Sequence, residues 1–402
     1  MSLSQGRQYL AIPGPSVIPD RVLQAMNQPC PNIYDGDLIE LTHSLAPDLK
    51  HVAQTKGNVA IYIANGHGAW EAAVSNVLAP DDTVLVLATG RFCIGWGEMA
   101  QNLGVNVETL DFGTHDTINL EVVRDHLRAD KNGRIKAVMA VHVDTSTSIR
   151  NDISELRSVI SDTGHGALLM VDCIASLGCD EFLMDDWGVD IMVSACQKGL
   201  MTPPALSFVY FSDHAASARN KMERVSSYWD WNPRTNPNLF YEYFCGTAPT
   251  QHLLGLREAL DMINEEGLPH IWERHKVLAK AVWASCETWA QSGPLKLNVS
   301  DENLRSKAVT ALSIGAPNGM QLRKWTENEA GLTLGIGLGM NTLEDPKAEG
   351  SFRIGHMGHV NAQMIMGALG SVQAGLIALD IPHGVGGLDA AAQVLANSGK
   401  PY

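Results

Sequence analysis

From about residue 58 onward, short continuous apolar runs alternate with stretches whose apolar residues recur at helical spacing. Val59–Ile63 precedes a helical pattern over residues 68–78, and Thr83–Ala88 precedes a helical stretch containing Gly and Trp. Ala137–His142 is followed by the amphipathic segment Ile153–Thr163. Ala167–Asp172, Ile191–Ser194 and Ser207–Phe211 complete the series. Runs that are apolar at every position predict strands covered on both faces, and intervening helices predict a mostly parallel sheet. The last two runs are close enough together to form a hairpin.

Beyond about residue 250 the texture changes. A long helical stretch, Leu253–Glu266 and then Ile271–Ser292, leads into the shorter apolar runs Ala308–Ile314 and Ser351–Ile354, and a helix over Ala362–Ala378 closes the region. This predicts an N-terminal arm over residues 1–25, a large α/β domain over 26–255 and a smaller α+β domain over 256–402. No internal repeat or low-complexity tract interrupts the pattern.

Composition narrows the function. The 402 residues carry 29 Lys and Arg against 44 Asp and Glu, a formal charge of −15. Phosphate backbones and anionic membranes need clustered cations, so a broad nucleic-acid or membrane surface is not expected. A small anionic ligand held by one or two local cations remains compatible. The seven cysteines are odd in number and never spaced as CxxC, which predicts reduced thiols rather than disulfides or a zinc site. The N-terminal residues lack an apolar run of signal-peptide length, and no stretch approaches the ~18 apolar residues of a membrane span. Lys400-Pro401-Tyr402 is not a peroxisomal tripeptide. The cytoplasm is the expected location.

Ligands of open α/β sheets bind beyond the carboxyl ends of the strands, so the residues after each apolar run carry the candidate chemistry. Asn65-Gly66-His67-Gly68 lies between a run and a helix, where backbone N–H groups can approach an anion; a plain strand-to-helix turn has the same form. Asp172 ends a buried run and needs a partner or a capping role. Lys198, followed by Gly199 and then Pro203-Pro204, ends another run; desolvation there would leave a usable amine, whereas a surface loop would leave an ordinary lysine. Taken together, an anion cradle, a buried acid and a lysine 26 residues beyond it are the parts that hold pyridoxal phosphate.

The stretch from Val171 through Phe208, with Asp172 and Gln197-Lys198-Gly199, resembles the fold-type-I, class V aminotransferases of the alanine–glyoxylate and serine–glyoxylate group. The resemblance extends over nearly the whole chain, through IPGP near the N-terminus, NGHGAWEAA, SYWDW, LLGLREALDMINEEGL, FRIGHMGHVN and the tail IPHGVGGLDAA. It implies a large domain with a mostly parallel sheet of seven-stranded type sandwiched by helices, and a smaller C-terminal α+β domain. It makes Lys198 the Schiff-base lysine and proton shuttle, and Asp172 the partner of the pyridine nitrogen. It places Phe92 on the cofactor ring, Thr145 and Gln197 beside cofactor and substrate, and Asn65, Gly66 and His67 at the phosphate. Thr247 matches a position that reaches the cofactor phosphate of a neighbouring subunit, which implies a homodimer with shared active sites. Arg353 matches the arginine that takes the substrate carboxylate, a task suited to a bidentate guanidinium. Gly14, in the arm, lies where that segment lines the substrate pocket. The activity implied is ping-pong transamination from serine or alanine to a 2-oxo acid, with glyoxylate as the acceptor that the resemblance favours.

Departures from the family pattern leave the substrate pair open. Cys196 and its neighbours replace a common SGSQKG, residues 142–148 replace a common HNETSTG, and Cys245-Gly246-Thr247 replaces a YTP-like segment. Aspartate with glyoxylate, or pyridoxamine with pyruvate, are alternative pairs; Gly199 weighs against the latter, in which a cysteine follows the lysine. A cysteine desulfurase needs a nucleophilic cysteine in the small domain, and no cysteine follows Cys286. A catalytically idle binding protein is the alternative from another class, opposed by the joint presence of Lys198, Asp172 and Arg353. His356 and His359 lack a third metal ligand nearby, so no metal is expected. Gly335, Gly337 and Gly339 lack the strand–turn–helix context of a dinucleotide site and read as a flexible segment near the pocket mouth. Tyr228, Trp229 and Trp231 are pocket, subunit surface or core, with at least one in the core.

Overall fold

The computed structural model describes residues 2–398; Gly399 and Lys400-Pro401-Tyr402, the last of the small-domain span, lie outside the described residues. In chain order the strands are β1 (Tyr9–Ala11), β2 (Asn58–Ile63), β3 (Thr83–Ala88), β4 (Asn106–Asp111), β5 (Ile135–Val141), β6 (Val143–Asp144) and β7 (Ile149–Arg150), followed by β8 (Leu168–Asp172), β9 (Ile191–Ala195), β10 (Leu206–Phe211), β11 (Lys296–Leu297), β12 (Val309–Ser313), β13 (Leu332–Ile336) and β14 (Ser351–Gly355).

The large sheet has seven strands in the order β2-β10-β9-β8-β5-β3-β4. Only β10 runs antiparallel to its neighbours, pairing with β9 as the expected hairpin and with β2 on its other side. The reason for continuous apolar runs is visible in the packing. Leu85, Leu87, Val138, Ala140, Leu169 and Val171 enter one core, while the alternating Val84, Val86, Ala137, Met139, Leu168 and Met170 enter a second core on the opposite face. Helices Asp37–Ala53, Ile153–Asp162 and Thr250–Glu266 cover the first face, and Gly66–Val77 and Arg91–Asn102 cover the second. Thr250–Glu266 runs across residues 255 and 256, and its Leu256, Leu260 and Ile263 belong to the large core.

Two elements of the large domain lie outside the series of continuous apolar runs. Strand β4 is an edge strand with no buried residue, so NVETLD needs no continuous apolar run. Helix Leu120–Ala129 buries only Val123 and Leu127, and begins at an Asn119 side chain that accepts from Glu121 N and Val122 N.

The smaller sheet, β1-β13-β14-β12-β11, is antiparallel apart from β1, which pairs in parallel with β13. Residues 9–11 thus form the edge of the sheet built from the C-terminal part of the chain. Helices Leu268–Ala290, Ala362–Ala378 and Gly387–Asn397 share its core, so one more helix follows the one expected to close the region. The glycine run also differs from expectation. Leu332–Ile336 is a strand, and a Cβ on Gly335 would lie 2.7 Å from Pro13 and 3.2 Å from Arg353 Cβ, so close packing rather than flexibility accounts for that glycine. Among the described residues, no helix is long and apolar enough to cross a membrane.

Candidate active site

The carboxyl ends of β2, β3, β5, β8 and β9 open onto one cavity of about 290 Å³. Its wall includes nine of the residues singled out from the sequence: Gly14, Asn65, Gly66, His67, Phe92, Thr145, Asp172, Gln197 and Lys198. Arg353 is not on the wall but behind it, and Thr247 is exposed and outside it.

Lys198 follows the turn after β9. Its Nζ donates to the carbonyl oxygen of Pro13, and the arm is pinned over it by Ser16 N donating to Gln197 O at 2.9 Å and Ser16 Oγ to Lys198 O at 2.7 Å. Gly14 has φ +106°, and a Cβ there would sit 2.5 Å from Lys198 Cδ and Cε, so only glycine lets the arm cross the amine. Burial lowers the Lys198 pKa to about 8, with the Arg353 charge adding to the fall and Asp172 opposing it.

Asp172 ends β8. Its Oδ1 accepts from Ile174 N and its Oδ2 from Trp70 Nε1, each at 2.7 Å. Burial pushes this carboxyl up to about 7 against those two donors. Trp70 stands within the helix that Asn65 caps, with Asn65 Oδ1 accepting from His67 N at 3.1 Å and Gly68 N at 3.4 Å. That helix starts close to β8: a Cβ on Gly66 would meet Ile174 Cδ1 at 2.4 Å. The ring of His67 lies 4.6 Å from that of Trp70, and Phe92 meets Trp70 edge-on at 6.2 Å.

Thr145 is carried on the ribbon of β6 and β7 beyond β5. Arg353, on β14, donates from Nη1 to Thr145 O at 2.8 Å and from Nε to Ile336 O at 2.7 Å. These two bonds leave one Nη1 N–H and the Nη2 group for a further acceptor. Burial lowers the Arg353 pKa to about 10, opposed by the carboxylate of Asp144. Asp144 is fully buried and accepts from Phe92 N at 2.9 Å, from Ser146 N at 2.8 Å and from Ser146 Oγ at 2.5 Å. It thereby fixes Phe92 and the ribbon that carries Thr145.

The family departures have local explanations here. Ser148 holds φ +62°, a conformation that favours glycine, but its Oγ accepts from Ala311 N at 3.2 Å and ties the ribbon to β12. Cys196 is buried, with Sγ accepting from Leu206 N at 3.3 Å. His356 is buried between Thr310 Oγ1 and Lys307 O, each 2.9 Å away. Trp231 is core, stacked on Phe211 at 4.2 Å. Tyr228 OH donates to Ile63 O at 3.0 Å, and Trp229 Nε1 to Glu71 Oε1 at 3.0 Å.

Comparison with known proteins places this site in a family. The model of the class V aminotransferases matches residues 8–334. The chain is a class V aminotransferase. A serine–glyoxylate aminotransferase of Methylorubrum extorquens is 36% identical over 381 residues, covering 92% of each chain. One from Arabidopsis thaliana is 35% identical over 372 residues, covering 92% of this chain and 90% of that one. The crystal structure of a ureidoglycine–glyoxylate aminotransferase from Bacillus subtilis has a TM-score of 0.87 at 24% identity, covers 99% of this chain and 100% of that one, and shows the shared fold-type-I architecture.

The cofactor of the aminotransferase is pyridoxal phosphate, and the cavity fits it. An acid and an amine share one wall, and Gln197 Oε1 is buried without a protein partner. Four residues of this arrangement escaped sequence reasoning: Pro13, Trp70, Asp144 and Ile174. Only Trp70 left a signal, since an indole on the apolar face of a helix still needs an acceptor for its N–H.

Proposed function

We propose that this aminotransferase moves the amino group of serine or alanine to glyoxylate by a ping-pong mechanism. The observation that carries this reading is the enclosed pair of Lys198 and Asp172 on one small cavity, beneath an arm that only glycine can form at position 14. When bound, pyridoxal phosphate would supply the aldehyde that takes the amine and the electron-withdrawing ring that stabilises charge at the substrate α-carbon. Lys198 would carry it, Asp172 would face the ring nitrogen, Phe92 would lie against the ring, and Thr145 and Gln197 would flank it. The turn of Asn65, Gly66 and His67 would face its phosphate.

The protein side of the reaction then follows from the residues. Lys198, with its pKa lowered to about 8, is neutral far more often at neutral pH than an ordinary lysine and can take and return a proton at Nζ. Arg353 offers its remaining N–H groups to the substrate carboxylate, held in place by Thr145 O and Ile336 O. Among the described residues, Lys198 is the one Lys or Arg on the wall, and burial, with the nearby Arg91 charge adding, keeps His67 toward its neutral form. That favours donors with an uncharged side chain over aspartate. The identity to serine–glyoxylate enzymes supports the same choice.

The same reading makes the enzyme a homodimer in which Thr247, exposed and away from its own cavity, serves the partner's cofactor. It also places the enzyme in the cytoplasm, as seven free cysteines suit a reducing compartment.

The test is an absorbance spectrum of the purified protein, then titration with serine, alanine, aspartate and pyridoxamine, each with and without glyoxylate. Visible cofactor absorbance bleached by serine or alanine and restored by glyoxylate is the expected result. Bleaching by aspartate or pyridoxamine alone would overturn the donor assignment. No visible band after addition of pyridoxal phosphate would overturn the assignment of Lys198.

A further inference from the structure

Trp70 belongs to no part of the reading so far, yet it makes the only side-chain bond to the Asp172 carboxylate among the described residues. The side chain is 2% exposed and packed among other aromatic rings. It stacks on Trp96 at 6.1 Å and 16°, lies between His67 and Phe92, and its carbonyl accepts from Trp96 Nε1 at 3.3 Å. A buried indole N–H needs some acceptor, and a backbone carbonyl would serve. The acceptor here is instead the acid of the cavity wall, and the bond is short for a neutral donor. With Ile174 N on Oδ1 and Trp70 on Oδ2, both oxygens are engaged and the plane of the carboxylate is set. Each oxygen keeps one further acceptor position.

We propose that Trp70 is a positioning residue of the transamination site, whose indole N–H holds the Asp172 carboxylate in one orientation and in its ionised form for the cofactor's ring nitrogen. The inference rests on the reading of Asp172 given above. Two neutral donors favour the ionised carboxylate, and burial opposes them. Removing the indole N–H takes away one donor while the burial that opposes ionisation remains. The carboxyl then protonates at higher pH, and a protonated acid cannot neutralise a protonated ring nitrogen. Lys198, Asp144, Cys93 and Cys173 are the titratable groups around the carboxyl, and His67 packs on the indole. Trp70→Phe removes none of these groups and keeps an aromatic ring for His67 to pack on, so any effect through His67 appears equally in the Asp172→Asn background.

The experiment titrates apo-protein with pyridoxal phosphate, following absorbance, for wild type, Trp70→Phe, Asp172→Asn and the double variant between pH 6 and 9. Loss of one hydrogen bond to a buried charge predicts affinity weaker by about 10- to 100-fold in Trp70→Phe. The acid limb of binding should move up by about one pH unit. In the Asp172→Asn background the same substitution should add little. Unchanged affinity in Trp70→Phe, or an equal loss in both backgrounds, would reduce Trp70 to a packing residue and overturn the inference. If Asp172→Asn binds like wild type, the reading of Asp172 fails and takes the inference with it. If Asp172→Asn is costly and Trp70→Phe is silent, only the inference fails. Should Trp70→Phe not fold, Trp70→His is compared with Trp70→Leu, since both shrink the side chain and only the first keeps a ring N–H; equal affinities would overturn the assignment.

Discussion

Lys198 and Asp172 are both moved by burial toward their neutral forms, the amine down to about 8 and the carboxyl up to about 7. The sign for stability differs between them. From about pH 3.8 to 7 the folded state holds the extra proton on Asp172, so its contribution falls as pH rises through that window. From about pH 8 to 10.5 the unfolded chain holds the extra proton on Lys198, so its contribution recovers as pH rises. Apo-protein melts recorded across this range should therefore show a dip from this pair between pH 7 and 8. Lys198→Met should flatten the alkaline side and Asp172→Asn the acid side; identical profiles for all three proteins would refute the assignment. Arg353 calls for a different test, since the role proposed for it is capture rather than proton transfer. Arg353→Ala should raise KM for the amino donor about 10- to 100-fold, the cost of losing a charge-assisted bond, with a smaller fall in kcat. An unchanged KM would remove Arg353 from substrate binding.

At the scale of elements, the site depends on how closely backbone segments approach. The turn after β9 runs against the segment after β8, and a Cβ on Gly199 would lie 2.1 Å from Leu177 O. A backbone oxygen cannot yield as a flexible side chain can. Gly199→Ala should therefore cost about 3 kcal/mol of stability, read from a denaturant melt; a change within ~0.5 kcal/mol would mean the two turns can separate. The ribbon of β6 and β7 is a second such device. It has too few residues to leave a periodic signal, yet it carries Thr145, receives Arg353 and, through Asp144, holds Phe92. The buried strands of the large sheet were legible because every position faces a core. Edge strand β4 was not, because solvent accepts the polar residues that break its pattern.

At the scale of the molecule, residues 9–11 cross to the small sheet while Pro13 and Gly14 close over Lys198, so the arm joins both parts of the chain to one site. Among the described residues, Thr247 is the one candidate cofactor or substrate residue that its own chain leaves exposed away from the cavity. If two chains share each site, sedimentation should give twice the 43.4 kDa chain mass. Thr247→Ala should then weaken pyridoxal phosphate binding about 10-fold without lowering the melting temperature of the apo-protein. A monomer with full activity would remove the shared-site arrangement.

The buried strands, the residues at their carboxyl ends and the chemistry of an acid, an amine and a glycine turn could all be read from the order of residues alone. This holds because apolar continuity and side-chain chemistry are properties of neighbours in the chain. Folding sets which groups meet: Pro13 and Gly14 over Lys198, Trp70 on Asp172, Asp144 behind Phe92, and Arg353 held by Thr145 and Ile336. Each of these joins residues from separate elements, some of them far apart in the chain. Their pKa shifts follow from a shared burial that no local pattern records.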